Sequence, residues 1–300
     1  MIQFFEYMIS GLSVGAIYAL IALGFVIIFK ATGILNFAQG MLVVMGAYFC
    51  YTTMVIFGLP VWLGLLVAMI LGALLGYLLQ RFALRPIIGQ PVLSMVIMTL
   101  VLFALLQGLS IFTWSAELHS LPPALPRGIL DIGGITMSKQ SLSSAGIAIG
   151  TFILCWAYFR YTRGGFAMRI AAEDHEAAQS VGISLPGVFS TVWIIASMIA
   201  VVAGFVLGVS AGVGSELSVL AMKSLAVMLL GGLESIPGAI IAGLIVGVIE
   251  SIVGGYVDPY IASAGIIGGS IREVIPYVIL LLVLIIKPYG LFGLKRIERV

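Results

Sequence analysis

Between Ala31 and Gln80 the chain carries no charged side chain, and the same holds from Tyr7 to Phe29, Pro86 to Ala116, Gln140 to Phe159, Ala177 to Ser215, Ser235 to Ile249 and Val274 to Ile286. A helix needs about 20 mostly apolar residues to cross the hydrocarbon core of a bilayer. Runs of this kind predict membrane spans, and the longest must hold more than one. Within Ala31 to Gln80, Gly58-Leu59-Pro60 separates two helices, because proline has no N–H to donate and its predecessor avoids the helical region. Full spans are expected over residues 8–29, 37–57, 61–80, 92–113, 143–159, 189–211, 237–256 and 273–286. A shorter piece, Ala221 to Gly232, reads either as a ninth span or as a re-entrant half-helix. The expected fold class is all-α: a polytopic transmembrane helical bundle of eight full spans plus one short or re-entrant helix, in a single domain over residues 1–300.

The few charges orient the bundle. Charged residues make up 9% of the chain and the net charge is only +2, which excludes a nucleic-acid binder and a soluble enzyme, where charged residues approach about a quarter. With loops placed alternately, one side receives Lys30, Arg81, Arg85, Arg160, Arg163, Arg169, Lys287, Lys295, Arg296 and Arg299. The other receives Arg127, Lys139 and Arg272, and Lys223 falls at a boundary. The positive-inside rule then puts the N-terminus outside and the C-terminus in the cytoplasm. The residues before the first apolar run carry no positive charge, so a cleavable signal peptide is not expected.

Chemistry-bearing motifs are sparse. Cys50 and Cys155 lie inside apolar spans, where a free thiol behaves as a small hydrophobe. There is no CxxC, no HExxH and no P-loop, and His119 and His175 fall on opposite sides of the membrane. No catalytic residue and no metal site is expected, and any nucleotide that drives this chain must bind another subunit. Glycines recur four apart within spans, at Gly11 and Gly15, Gly72 and Gly76, Gly204, Gly208 and Gly212, and Gly243 and Gly247. Such small faces let helix backbones approach closely in lipid, so they predict a tight bundle.

Three segments stand apart from packing. The first is the inner-side interruption from Arg160 to Pro186. Within it residues 168–182 are rich in helix formers and end at Gly182, a preferred residue just past a helix C-terminus. A single short helix is expected there, slim at Ala171, Ala172, Ala177 and Ala178 and acidic at Glu173, Asp174 and Glu176. It lacks the large apolar face and basic flank of a lipid-surface helix, so docking into a partner protein fits it better.

Glu176-Ala177-Ala178-Gln179-Ser180-Val181-Gly182 resembles the coupling-helix signature of ABC importer permeases. The wider context, Gly164-Gly165-Phe166-Ala167-Met168-Arg169 through Ala171-Ala172-Glu173-Asp174 to Val181-Gly182-Ile183, is similar to LivH-type permeases of branched-chain amino-acid importers. In the second segment, Asn36 can cap the following helix and leave backbone N–H groups near a pathway. Asn36-Phe37-Ala38-Gln39-Gly40 is similar to that family's Asn-Phe-Ala-His/Gln-Gly motif, although Met41 stands where a glutamate is frequent. In the third, Gly231-Gly232-Leu233-Glu234-Ser235-Ile236-Pro237-Gly238 breaks helix at membrane depth, where irregular backbone must be buried or line water. It resembles the family's Gly-Gly-x-x-Ser-x-Pro-Gly-Ala element, a candidate gate or cavity wall. Glu250 is the other acidic group expected within the membrane, and such groups serve either the pathway or structure alone, through pairing with Lys223 or a backbone group.

The resemblance implies an ABC importer permease subunit for branched-chain amino acids or a similar small amino acid, amide or carboxylate, in the bacterial inner membrane. It implies partners: a second, related permease, two ATPase subunits that hold ATP and Mg, and a periplasmic binding protein docking on the outer loop at residues 114–142. No cofactor is implied in this chain itself. An ion-coupled secondary transporter using Glu234 and Glu250, or a passive small-solute channel, are the alternatives, and neither requires the Glu176 to Gly182 helix.

Overall fold

A computed structural model describes residues 2–132, 134–263 and 270–293. Among the described residues seven helices are long and apolar enough to cross a membrane: α1 (Ile2–Thr32), α2 (Gln39–Tyr51, extended to Ile56 by a π-helical turn), α3 (Val61–Leu78, extended to Ile87), α4 (Val92–Trp114), α5 (Lys139–Tyr161), α8 (Leu185–Ala211) and α10 (Ile236–Ser263). Between α5 and α8 lie the short helices α6 (Arg163–Glu173) and α7 (His175–Ser180). The described residues also hold α9 (Leu217–Gly231) and α11 (Ile275–Ile286), of 15 and 12 residues. At about 1.5 Å per residue these reach about 22 and 18 Å, short of a hydrocarbon core of about 30 Å. The expected full span over 273–286 is therefore a short helix here, and the piece near Ala221 to Gly232 is a helix of intermediate length. Lys295, Arg296 and Arg299 lie outside the described residues.

One departure from helix is a hairpin in the loop after α4. Strands β1 (Ile129–Ile132) and β2 (Ile135–Ser138) pair antiparallel with Ile132 opposite Ile135. The Asp131 carboxylate accepts from the Gly134 N–H at 2.9 Å, and Gly134 takes the positive φ that the turn requires. Gly133 lies outside the described residues.

The chain divides into two compact units. One is built from Gly24–Ala124 and Gly150–Ala221. Its centre is α8, of whose most apolar window 78% is buried, against 17% for α4, whose large apolar side chains face outward. Helices α2 and α3 both lie on α8, and glycines set the separation. A methyl group at Gly204 would stand 2.3 Å from the Val43 carbonyl oxygen, and one at Gly76 would stand 2.5 Å from that of Trp193. The α2–α3 elbow turns at Gly58, and Thr53 in the π-helical turn donates across it to the Gly64 carbonyl at 2.9 Å.

The other unit comprises Met1–Leu23, Leu125–Ile149 and Met222–Val300. Here α1 crosses α10 through the two glycine pairs read from the sequence. A methyl group at Gly15 would meet the Gly243 carbonyl oxygen at 2.5 Å, and one at Gly247 would meet the Gly11 carbonyl oxygen at 2.5 Å. Without a hydrophobic drive between helices in lipid, such backbone proximity is what dispersion forces need. Gly212 plays no part in this kind of packing. It follows α8 with φ +86° and ends the helix.

Candidate functional site

The helix break at Gly33 to Ala38 is buried and cross-braced. Helix α1 stops at Gly33, whose φ of +69° suits glycine. Asn36 does not cap α2 in the usual way, because the N-cap position is Ala38. Instead the Asn36 carboxamide oxygen accepts from the Ala38 N–H at 3.1 Å and its Nδ2 donates to Gln39 Oε1 at 3.4 Å. The expectation of a capping asparagine is thus corrected to an Asx turn one step earlier. Thr99 of α4 pins the same stretch, accepting from the Phe37 N–H at 3.2 Å and sharing its hydroxyl proton between the Val96 carbonyl at 2.8 Å and the Leu35 carbonyl at 3.3 Å. Asn36 and Gln39 are 1% and 0% exposed, and Gln39 Nε2, pressed against Gly24 of α1, has no hydrogen-bond partner among the described residues. Gly40 is buried in the first turn of α2.

The inner-side segment expected as one helix over 168–182 is two. Asp174 takes extended backbone angles and ends α6, and its carboxylate accepts from the Glu176 and Ala177 N–H groups at 2.8 and 3.1 Å. Those two bonds hold the Asp174 carboxyl below the usual aspartate range. A side chain that captures two N–H donors competes with helix continuity, which is why aspartate breaks the run here. Thr162 caps α6 by accepting from the Gly165 N–H at 3.0 Å. Gly182, with φ +81°, ends α7: its N–H reaches the Gln179 carbonyl at 2.9 Å and that of Ile183 reaches Ala178 at 2.9 Å, a Schellman closure.

The small residues of this pair face two ways. Ala171 and Ala178 are buried against the protein, whereas Glu173, Glu176 and Ala177 are exposed beside Phe166 and Val181. Ala172 is half-buried, and the Arg169 guanidinium donates to the Phe159 carbonyl, tying α6 back to α5. His175, which sequence reasoning used only to exclude a shared metal, proves central. From the first position of α7 its Nε2 donates to the Ala31 carbonyl at 3.1 Å, joining this pair to the last turn of α1 just before the Gly33 break. No local pattern marks that contact.

In the other unit, Gly231 to Gly238 forms a tight passage between α9 and α10. A methyl group at Gly231 would meet the Gly238 carbonyl oxygen at 2.5 Å, and Gly232 takes φ +106°. Ser235 is the N-cap of α10, its hydroxyl accepting from the Gly238 N–H at 3.0 Å, and Pro237 fits the first turn, where its missing N–H costs nothing. Glu234 sits half-buried on the turn. The carbonyls that end α9 find partners no sequence signal announced: Leu291 N–H donates to Leu230 at 2.8 Å and Phe292 N–H to Gly231 at 3.1 Å. The segment after α11 therefore clamps this break, with Gly290 and Gly293 giving it room against Gly232.

Glu250 is 1% exposed and its Oε1 pairs with Lys223 Nζ at 3.1 Å and Arg272 Nε at 3.4 Å. The pairing with Lys223 is present, and it adds Arg272, whose stem lies along Gly254 of α10. Two cations share one anion, so the cluster carries an excess positive charge. The Tyr18 and Tyr277 phenols lie within electrostatic reach. Among the described residues no three His, Cys, Asp or Glu side chains gather as metal ligands.

The family model and the sequence relatives agree on one family. The family described as "Branched-chain amino acid transport system / permease component" matches residues 7–284. The chain is 31% identical to the high-affinity branched-chain amino acid transport system permease protein LivH of Salmonella typhimurium, covering 100% of this chain and 98% of that protein. It is 28% identical to BraD of Pseudomonas aeruginosa, a permease protein of the same description, over 99% and 98% of the two chains. It is also 29% identical to a probable branched-chain amino acid transport permease protein of Methanocaldococcus jannaschii, over 93% and 90%. A solved structure, PsaBC from Streptococcus pneumoniae in complex with Fab, has a chain of like fold at a TM-score of 0.51 and 15% identity, with 96% of this chain and 92% of that one covered. With a match across nearly the whole sequence and relatives aligned end to end, this multi-pass membrane protein belongs to the family of permease components of branched-chain amino acid transport systems.

Proposed function

We propose that the chain forms half of the translocation pathway of an ABC importer in a bacterial inner membrane, with its N-terminus outside and its C-terminus in the cytoplasm. The α6–α7 pair is the coupling element, seated in a cleft of an ATPase subunit. Two such ATPases hold ATP and Mg, a second, related permease completes the pathway, and a periplasmic binding protein delivers a branched-chain amino acid to the outer loop that carries the β1–β2 hairpin. Closure of the ATPases moves α6 and α7, and the pathway alternates its access. The breaks at Asn36, Phe37, Gln39 and Gly40 and at Gly231, Gly232, Glu234, Ser235, Pro237 and Gly238 line or gate the route. The observation that carries this reading is the path from an exposed acidic helix pair to a buried helix break through one hydrogen bond, His175 to Ala31. Gln39 Nε2, which has no hydrogen-bond partner among the described residues, supports a polar role at that break.

In the reconstituted complex, Ala177→Arg should leave membrane insertion intact while uncoupling uptake from ATP hydrolysis and removing most of it. Ala177 is exposed, so the substitution strains nothing within the chain. Unchanged uptake coupled to ATP hydrolysis in that variant would overturn the coupling assignment.

A further inference from the structure

A cavity of about 220 Å³ lies between the N-terminal part of α1 and the β2 strand with the start of α5, all within one compact unit. It is smaller than the roughly 300–1,000 Å³ of pockets that take drug-sized molecules, so its occupant is small. Two sequence periods bring polar groups to it. On α1, Glu6, Ser10 and Ser13 stand four and three apart and share one helix face. On β2, Thr136 and Ser138 stand two apart and share one face of the strand. Ser141 joins them from the first turn of α5. Packing alone does not call for such a stripe, since α1 meets α10 through the bare backbone at Gly11 and Gly15.

Two of these hydroxyls have committed their protons. A carbonyl and a carboxylate can only accept, so Ser13 Oγ donates to the Ile9 carbonyl at 3.2 Å, and Thr136 Oγ donates to Glu6 Oε1. The same carboxylate oxygen takes the Thr136 N–H at 2.9 Å. Ser13 and Thr136 therefore have lone pairs to offer, as does the second Glu6 oxygen. Glu6 is the only charged side chain in the lining among the described residues. A wall with one carboxylate, acceptor hydroxyls and no cation selects a positively charged donor. A primary ammonium presents three N–H groups and no acceptor, and its bonds to a carboxylate are charge-assisted. A bare inorganic cation would leave most of the cavity unfilled, whereas Ile9, Met137 and Leu142 add apolar surface beside the polar stripe.

We propose that this cavity receives the ammonium end of an aliphatic amino acid entering the permease, with Glu6, Ser13 and Thr136 accepting its three N–H groups and Ile9 and Leu142 meeting its side chain. No basic side chain lines the cavity, so the substrate carboxylate stays at the open mouth. The proposal rests on the importer reading for the choice of an amino acid, and it places an early contact of the substrate under the hairpin that the same reading gives to the binding protein.

Methyl-labelled methionine makes Met137, in the cavity wall, a reporter in the full-length permease in micelles, and Met137→Leu identifies its resonance. L-leucine and isoamylamine should each shift that resonance saturably. Isocaproate, which is leucine without its amine, should not, and neither should sodium chloride or tetramethylammonium, which carry positive charge without an N–H. Glu6→Gln keeps an oxygen for Thr136 and removes the charge, and it should weaken leucine binding by about tenfold or more, the worth of a hydrogen bond to a charged group. The other methionine resonances report whether the variant folds, and the ligand series on the unaltered chain decides the case without it. A shift produced equally by isocaproate, or by sodium or tetramethylammonium alone, overturns the ammonium assignment. Leucine binding that is unchanged in a folded Glu6→Gln overturns the part given to the carboxylate. Failure of this inference and failure of the importer reading are distinct: a chain that imports leucine with its ATPases but shows no Met137 response refutes the cavity alone, and one that binds leucine here without ATP-driven uptake refutes the importer alone.

Discussion

Removing Lys223 tests whether the buried charge cluster is held by its ion pair. At 3.1 Å and an effective dielectric of about 20, Lys223 and Glu250 attract by about 5 kcal/mol. The Arg272 contact at 3.4 Å is nominally similar, but the Arg272 side chain is 44% exposed, and solvent screening brings such pairs toward about 1 kcal/mol or less. Breaking a buried pair by deleting one partner costs about 3–5 kcal/mol, because the other charge is left uncompensated. The order of destabilisation should therefore be Glu250→Leu first, since it strands two cations, then Lys223→Met, then Arg272→Met as the mildest. The double variant Lys223→Met with Glu250→Leu should cost well under the sum of its parts, since no buried charge remains in it beyond Arg272, which can reach water. The assay is denaturant-induced unfolding of the purified permease in mixed micelles, read as a double-mutant cycle. Additivity within about 0.5 kcal/mol would refute the reasoning, because independent sites behave that way and a shared buried pair does not.

Further outcomes follow from the helix ends and crossings. The Asp174 carboxyl titrates below its unfolded range, so its support of α7 is present at neutral pH and is lost only as pH falls through that lowered value. Amide protection at Glu176 and Ala177 should persist at pH 7 and vanish in acid, and Asp174→Asn should remove that pH dependence. Gly204→Ala should destabilise by about 1–3 kcal/mol through overpacking against α2, whereas Gly108→Ala, with open space around it, should stabilise by about 0.5–1 kcal/mol. Thermal unfolding of the two variants separates contact from propensity. Leu291→Pro removes the donor to the last turn of α9 and should cost about 1–3 kcal/mol, with faster exchange confined to the end of α9.

The spans are legible because a bilayer excludes charge regardless of tertiary detail, so gaps between charges outline helices: the pattern predicts a span over residues 92–113, and Val92–Trp114 is observed. Glycine spacing was legible for the same reason, since only small residues let backbones meet in lipid. What escaped depends on single side chains reaching across space. Nothing in Glu173-Asp174-His175-Glu176 forbids a continuous helix, and the break is decided by one carboxylate taking two N–H groups. The π-helical turn at Thr52–Ile56 is held by Thr53 reaching Gly64 on another helix. The clamp of Leu291 and Phe292 on α9 joins segments far apart in sequence, and Arg272 descends on Glu250 from a loop read as wholly external. Of the candidate site, the three segments were visible as motifs. Their links, His175 to Ala31 above all, were not.

The pairing of Lys223 with Glu250 also bears on how the chain is made. A lysine near the middle of a membrane helix opposes its insertion by about 2.5–3.5 kcal/mol, and α9, apolar but only 15 residues long, is too short to span the hydrocarbon core and offset it in full. The neutralising carboxylate lies on the next helix and leaves the ribosome 27 residues later. The unit that partitions into lipid is then the α9–α10 hairpin, not α9 alone. Nascent chains halted before Glu250 should leave α9 accessible to water-soluble thiol reagents at an engineered cysteine, and chains halted beyond α10 should protect it. Protection in the shorter chains would show that α9 enters unaided.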